Sequence, residues 1–288
     1  MKNFLLFALL FVSATLNAQY YYDDLVGTQE INNKMKAFVA AKVKSVTATG
    51  YDARGVKSTD FNEWQEVQSN GSALQISTRN GQSVTRTWYQ FDAQSRVISA
   101  KDSALDISSV TTYSYDIAGN LVNIKTVSKD AIQEFDQTKE RQWQYKDGKP
   151  VKLLLIVNGN DSLEYKLTVD DKKNVTDEMI FHRGGTRNKL DYAYDPNKIY
   201  YFYDAEGRLT DITRYNIKAD RLLPDYMFEY DDHNRVIQKI TVLASSRSSN
   251  YLLWRYVFND QGLKTKEALF NREKELQGRI DYAYTFGQ

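Results

Sequence analysis

The chain has 288 residues, with 38 Lys and Arg against 37 Asp and Glu and no cysteine. Lys2 is the one charge in the first 18 residues, so the rest balances. That argues against capture of nucleic acid or an anionic membrane surface as the main task. Without cysteine there is no disulfide, thiolate metal site, cysteine nucleophile or lipid acceptor, and the fold must rest on its own core.

Residues 1–18 have the layout of a secretory signal peptide: Lys2, an apolar run from Phe4 to Val12, and Leu16-Asn17-Ala18 before a cut at Gln19. Leu16 is larger than the residue usual three positions before a cut. The layout predicts export to the periplasm or the medium. The apolar run is too short for a spanning helix, so no membrane insertion is expected.

Residues 19–42 form an N-terminal segment. Gln19 to Asp24 is polar and tyrosine-rich. Ile31, Met35, Phe38 and Val39 then recur at i, i+4, i+7 and i+8, one apolar stripe on a helix from about Thr28, as N-cap, to about Ala41. This helix is expected to pack on or cap a sheet.

From Val43 onward the chain reads as strand after strand, 43–288 forming one β-repeat domain. Turn signals include Asn70-Gly71, Asn80-Gly81, Asp147-Gly148, Asn158-Gly159 and Gly184-Gly185. The expected fold is all-β: an up-and-down antiparallel meander of roughly fifteen strands, curled or barrel-like, with a short N-terminal helix.

One phrase recurs: aromatic, any residue, aromatic, Asp, two residues, a turn residue, then Arg, Asn or an aliphatic. It reads Tyr113-Ser-Tyr115-Asp116-Ile-Ala-Gly119-Asn120, Tyr201-Phe-Tyr203-Asp204-Ala-Glu-Gly207-Arg208, Phe228-Glu-Tyr230-Asp231-Asp-His-Asn234-Arg235 and Tyr89-Gln-Phe91-Asp92-Ala-Gln-Ser95-Arg96. Degenerate copies stand at Trp143–Gly148, Leu167–Asp170, Tyr192–Pro196, Tyr256–Gly262 and Tyr282–Tyr284, most starts about 24–30 residues apart. The Asp is expected to accept backbone N–H groups of the turn and the Gly to supply positive φ. The two aromatics share a strand face, and successive copies should stack across the sheet.

The phrase resembles the tyrosine-aspartate (YD) repeat of RHS-type bacterial proteins. The chain also resembles small secreted bacterial proteins of unknown function with a porin-like β-meander. The RHS resemblance implies a curled sheet that wraps a cargo. This chain is too short to enclose a toxin, and its Asp195-Pro196 is followed by Asn197-Lys198 rather than by the Asp-Pro-x-Gly core of those proteins.

No catalytic constellation is readable. His182 and His233 are the two histidines, and each lacks the partners of a triad or metal site. Asp161, Glu164, Glu178 and Asp211 lie outside the turn pattern, but no pair stands out. Asp170-Asp171 with Asp177-Glu178 lacks the spacing of a calcium loop. No cofactor, no metal and no enzymatic activity are expected. The crowded aromatics Tyr192, Tyr194, Tyr200, Tyr201 and Tyr203 are the candidate ligand site, because consecutive aromatics must point to both faces of the sheet. The leading expectation is a non-enzymatic binding or structural module for a glycan or an envelope protein. The alternative is a polysaccharide hydrolase with paired carboxylates in the sheet's concavity.

Overall fold

The computed structural model describes residues 19–68, 71–104, 107–130, 132, 135–181, 198–243 and 250–287. A helical segment opens the chain, wound as a π-helix over Tyr21–Val26 and continuing as α1 over Gly27–Ala40. There follow β1 (Val43–Asp52), β2 (Lys57–Gln68), β3 (Ala73–Asn80), β4 (Ser83–Phe91), β5 (Val97–Ala104) and β6 (Ile107–Tyr115). The meander continues through β7 (Leu121–Asp130), β8 (Phe135–Lys146), β9 (Lys149–Val157), β10 (Asp161–Val169), β11 (Val175–Phe181) and β12 (Ile199–Tyr203). It ends with β13 (Leu209–Asn216), β14 (Arg221–Tyr230), β15 (Val236–Leu243), β16 (Asn250–Phe258), β17 (Lys264–Phe270) and β18 (Leu276–Phe286).

The all-β meander is therefore present, with eighteen strands among the described residues rather than roughly fifteen. Some connections carry no glycine to announce them. In those at 217–220 and 271–275 the positive φ falls on Asp220 and Lys274. The sheet also closes. β18 pairs antiparallel with β1, Tyr284 opposite Val46 and Ile280 opposite Gly50, so neither the first nor the last strand is left as an open edge to template aggregation.

The repeated Asp builds the turn as its chemistry predicts. Asp92 Oδ1 accepts the N–H groups of Gln94 and Arg96, both at 2.9 Å. The Asp92 N–H donates to the Arg96 carbonyl at 2.9 Å, and the Ser95 N–H returns to the Asp92 carbonyl at 3.0 Å. The same pair of backbone bonds forms at Asp116, Asp170, Asp204, Asp231 and Asn259. The fourth residue of each turn has positive φ, as glycine at 119, 207 and 262 and as Ser95, Lys173 and Asn234 elsewhere. Register shifts fall at the second aromatic or its equivalent, the mark of a bulge that feeds the turn.

Each repeat is two strands long, so all six of these turns lie on one rim of the barrel, the Asp rim. Successive copies therefore stand two strands, about 9–10 Å, apart, too far for the expected ring-on-ring stacking. Their link is different. Tyr115, Tyr145, Tyr203, Tyr230 and Tyr284 donate their hydroxyls to the carbonyls of Val97, Leu121, Val175, Leu209 and Lys264 at 2.7–2.9 Å. Each acceptor is the first strand residue after the preceding turn on that rim. Arginines reach the other way: Arg96 lies over Tyr115 at 4.5 Å, Arg208 over Tyr230 at 5.2 Å and Arg235 over Phe258 at 4.8 Å. Each of these arginines is ion-paired to its own turn Asp where one is present, as Arg208 Nε to Asp204 Oδ2 at 2.6 Å. The phrase is thus a clasp between neighbouring repeats.

A barrel of eighteen strands encloses more than its own side chains can fill. The N-terminal segment supplies the missing matter by entering the barrel near the Asp rim, rather than lying on or capping the sheet. Met35 is fully buried and Phe38 4% exposed, against Val43, Val46, Leu74, Phe91, Val97 and Leu263. Asn32 Oδ1 accepts the Val97 N–H at 2.8 Å, and Val39 crowds Gly71, where a Cβ would lie 2.6 Å from Val39 Cγ2. Thr28 is not the N-cap: it is a buried residue inside the helix, which begins seven residues earlier. The reason is tertiary. Glu178 of β11 takes the first N–H groups of the segment, so no local cap is needed.

Candidate functional site

The inner faces of the strands and the plug enclose a cavity of about 3250 Å³. Toward the Asp rim its wall is aromatic, with Tyr203, Phe228, Tyr230, Tyr256, Phe258 and Tyr284 packed around the plug. Toward the opposite rim the inward positions of β3 and β4 shrink to Thr78, Asn80, Ser83, Thr85 and Thr87. Small hydroxyl side chains leave the space that the rings fill elsewhere.

The plug is held by polar contacts in otherwise buried surroundings. Glu178, 1% exposed, accepts from the Tyr20 N–H (3.1 Å), the Tyr21 N–H (2.8 Å) and the Tyr201 hydroxyl (3.0 Å). Burial pushes its carboxyl up to about 7, against the pull of those three donors. Asp24 accepts from Arg141 Nη1 at 2.7 Å and Trp143 Nε1 at 3.2 Å. Its burial likewise outweighs Arg141 and Trp143 and raises it to about 6. Gln19 Nε2 donates to Asp225 Oδ2 at 2.9 Å, and Asp225 is ion-paired with Arg214 at 2.6 Å.

Charges facing the cavity come in balanced sets. Lys264 pairs with Glu267 at 2.6 Å and lies 5.2 and 4.9 Å from the ring centroids of Tyr256 and Tyr282. Glu63 accepts from Gln65 Nε2 (2.6 Å) and Thr78 Oγ1 (2.9 Å). Lys34 projects from the plug between these carboxylates. Burial lowers it to about 8, with Lys264 adding to the fall and Glu63 and Glu267 opposing it. Lys239 sits over Tyr226 at 4.6 Å and Tyr22 at 5.5 Å. Trp254, opposite Lys239 on β15 and Leu269 on β17, faces the same space. Among the described residues no group of three or more His, Cys, Asp or Glu could hold a metal ion.

The candidate tyrosines do not share one face. Tyr201 is 2% exposed inside the barrel, bonded to Glu178, and Tyr203 is inside with its hydroxyl given to Val175. Tyr200 and Phe202 alternate to the outer wall, where Phe202 is 43% exposed and Lys198 lies 4.9 Å from the Tyr200 ring. Tyr192, Tyr194 and His182 fall outside the described residues. His233 is in the Asp231 turn, its N–H donating to Asp231 Oδ1. Glu164 pairs on the outer wall with Lys152 at 2.7 Å, and Asp177 there with Lys198 at 3.2 Å. The cavity residues that sequence reasoning missed had a signal. Trp254-Arg-Tyr256-Val-Phe258 alternates, which puts three aromatics on one face.

In class, then, the protein is a closed antiparallel barrel of hairpin repeats with the helical segment of residues 19–40 as plug. No family model and no curated protein matches the chain. Among solved structures it is similar to a porin-like protein from Bacteroides uniformis, at 11% identity and TM-score 0.36 over 84% of this chain and 98% of that one. It is similar too to a porin-like protein from Bacteroides vulgatus, at 13% identity and TM-score 0.30 over 84% and 98%. A third likeness is to the TcdB2-TccC3-Cdc42 structure, at 13% identity and TM-score 0.31, over 85% of this chain and 15% of that one.

Proposed function

We propose that the protein is an exported, non-enzymatic binding module that takes a glycan into its lumen. The observation that carries this reading is the 3250 Å³ cavity, whose wall joins aromatic rings to paired charges and hydroxyls. Sugars are recognised by that mixture: apolar ring faces against aromatics, and hydroxyls against carboxylates, amides and ammonium groups. In this reading the ligand site is not the cluster Tyr192, Tyr194, Tyr200, Tyr201 and Tyr203 but Trp254, Tyr256, Tyr282, Glu63 and Glu267 on the lumenal wall.

The outer wall supports a barrel that stays in water. Arg79, Arg86, Lys101, Lys125, Lys166 and Arg255 are exposed on it, away from the lumen. Each such cation on a lipid face would cost about 2–4 kcal/mol at the bilayer midplane. Among the described residues no helix is long and apolar enough to cross a membrane.

The test is thermal stabilisation of the protein by a panel of envelope and dietary oligosaccharides. Trp254→Ala and Glu63→Gln should abolish the shift given by any ligand found. A panel without a single stabilising member, or shifts untouched by both changes, would refute the lumenal site. The hydrolase reading keeps one observation: Asp23 and Glu30 both face the cavity, and enclosure raises both carboxyls. Release of reducing ends from any panel member, lost in Asp23→Asn and Glu30→Gln, would favour it instead.

A further inference from the structure

Glu178 is a buried carboxyl whose surroundings hold no cationic partner. It is 1% exposed, and no Lys, Arg or His pairs with it among the described residues. Buried carboxylates ordinarily have a cation beside them, because desolvation costs several kcal/mol per ion. Its three donors are two backbone N–H groups and one phenol, all neutral. The two backbone donors belong to Tyr20 and Tyr21, and Gln19 before them is itself 5% exposed inside the barrel.

We propose that cleavage before Gln19 supplies the missing cation: the new α-ammonium of Gln19 docks inside the lumen as the ion-pair partner of Glu178. The cleavage hydrolyses the Ala18–Gln19 peptide bond, water adding to leave a carboxylate on Ala18 and an amine on Gln19 that takes up a proton. Consecutive residues are about 3.8 Å apart, and the next residue's N–H already lies 3.1 Å from Glu178 Oε1. The bond from Gln19 Nε2 to Asp225, itself held by Arg214, fixes the residue that carries the new charge. Leader removal is then linked to plug docking, because an uncleaved chain offers an amide where the cleaved one offers an ammonium group.

The titratable groups facing this point are few. Tyr20, Tyr21, Tyr165 and Tyr201 surround Glu178, and their phenols are all raised by burial. Asp24 acts on Glu178 as a second negative charge, Asp23 lies on the same turn, and Arg141 is spent on Asp24. An ammonium group placed here gains a partner, so its folded pKa rises above the ordinary value of about 7.7–8.0. Its stabilisation is full below that ordinary value and is lost as pH rises through the folded one.

The experiment compares four forms of the full barrel: the chain beginning at Gln19, the same chain with Gly-Ser ahead of Gln19, and each with Glu178→Gln. Intact mass of the exported protein should give a free Gln19 amine. At pH 6.5 the extension should raise the unfolding constant about tenfold, and Glu178→Gln should erase that difference. Reductive methylation of the amine with labelled carbon, followed by nuclear magnetic resonance, should show its pKa above the ordinary range even if Glu178→Gln fails to fold. A different first residue, a cyclised Gln19, an extension without effect or an ordinary amine pKa would each overturn the proposal. None of these outcomes depends on the lumen binding a glycan.

Discussion

Tyr230→Phe tests the clasp between repeats. The change removes one oxygen and leaves the ring in place under Arg208. What it deletes is the hydroxyl donated at 2.7 Å to the Leu209 carbonyl of the preceding repeat. A typical intramolecular hydrogen bond contributes about 0.5–1.5 kcal/mol net, and the carbonyl left behind on the inner wall puts this one near 1 kcal/mol. For a barrel of this size that is a fall of about 2–4 °C in Tm. Tyr115, Tyr145, Tyr203 and Tyr284 make the same bond, so the fivefold Phe variant should lose about 5 kcal/mol if the sites add. Tyr113 is the control. It is the first aromatic of its phrase, faces inward, and its hydroxyl has no hydrogen-bond partner among the described residues. Urea unfolding followed by tryptophan fluorescence and far-UV circular dichroism gives both free energies on one scale. If Tyr230→Phe and Tyr113→Phe fall within about 0.3 kcal/mol of each other, the clasp does not stabilise the barrel and the reasoning fails.

Other consequences are as direct. Gly71→Ala should cost about 1–3 kcal/mol, since φ is +92° and the new methyl meets Val39 at 2.6 Å. Gly81→Ala, with positive φ but open space, should cost less in the same urea assay. Met35→Ala removes a fully buried plug side chain and should cost about 2–5 kcal/mol by calorimetry, with a larger cavity inside the barrel. Asp24 has its folded pKa raised to about 6. Its contribution is therefore full below the ordinary Asp value and is lost as pH rises through 6, and Asp24→Asn should flatten stability over that window. The turn carboxyls run the other way. At Asp204 desolvation raises the carboxyl, but the Arg208 N–H and guanidinium outweigh it and hold it low. At Asp116 the Asn120 side chain leads in doing so. Their stabilisation is present above the ordinary Asp pKa and disappears as pH falls through the lowered values, so acid unfolding below about pH 4 should be delayed in none of the turn Asp→Asn variants.

The local parts of this molecule were written in short stretches of chain. Asp92 needs only Gln94 and Arg96 to close its turn, and Asp147-Gly148 needs nothing beyond two residues at positive φ. The alternation of Tyr201 and Tyr203 with Phe202 likewise follows from the pleat alone. All of that depends on neighbours within about five residues, which is why it could be read as turns and strands. Even so, the tyrosine hydroxyls are committed to carbonyls about twenty residues back, and only the registered sheet shows this.

Closure and the plug were decided at longer range. Nothing near Val46 announces Tyr284 as its partner, because 238 residues separate them and the pairing exists only once eighteen strands have coiled into a ring. The helix began before Thr28 because a carboxylate 157 residues away, Glu178, took the Tyr21 N–H. The sequence by itself determined the repeat, its turns and the inward face of its aromatics, since those follow from backbone sterics and side-chain alternation. Only the tertiary structure decided that the face encloses a charged, aromatic lumen with the helical segment of residues 19–40 inside it. Burial, and the pairing of charges that burial demands, are properties of the closed barrel and of no segment within it.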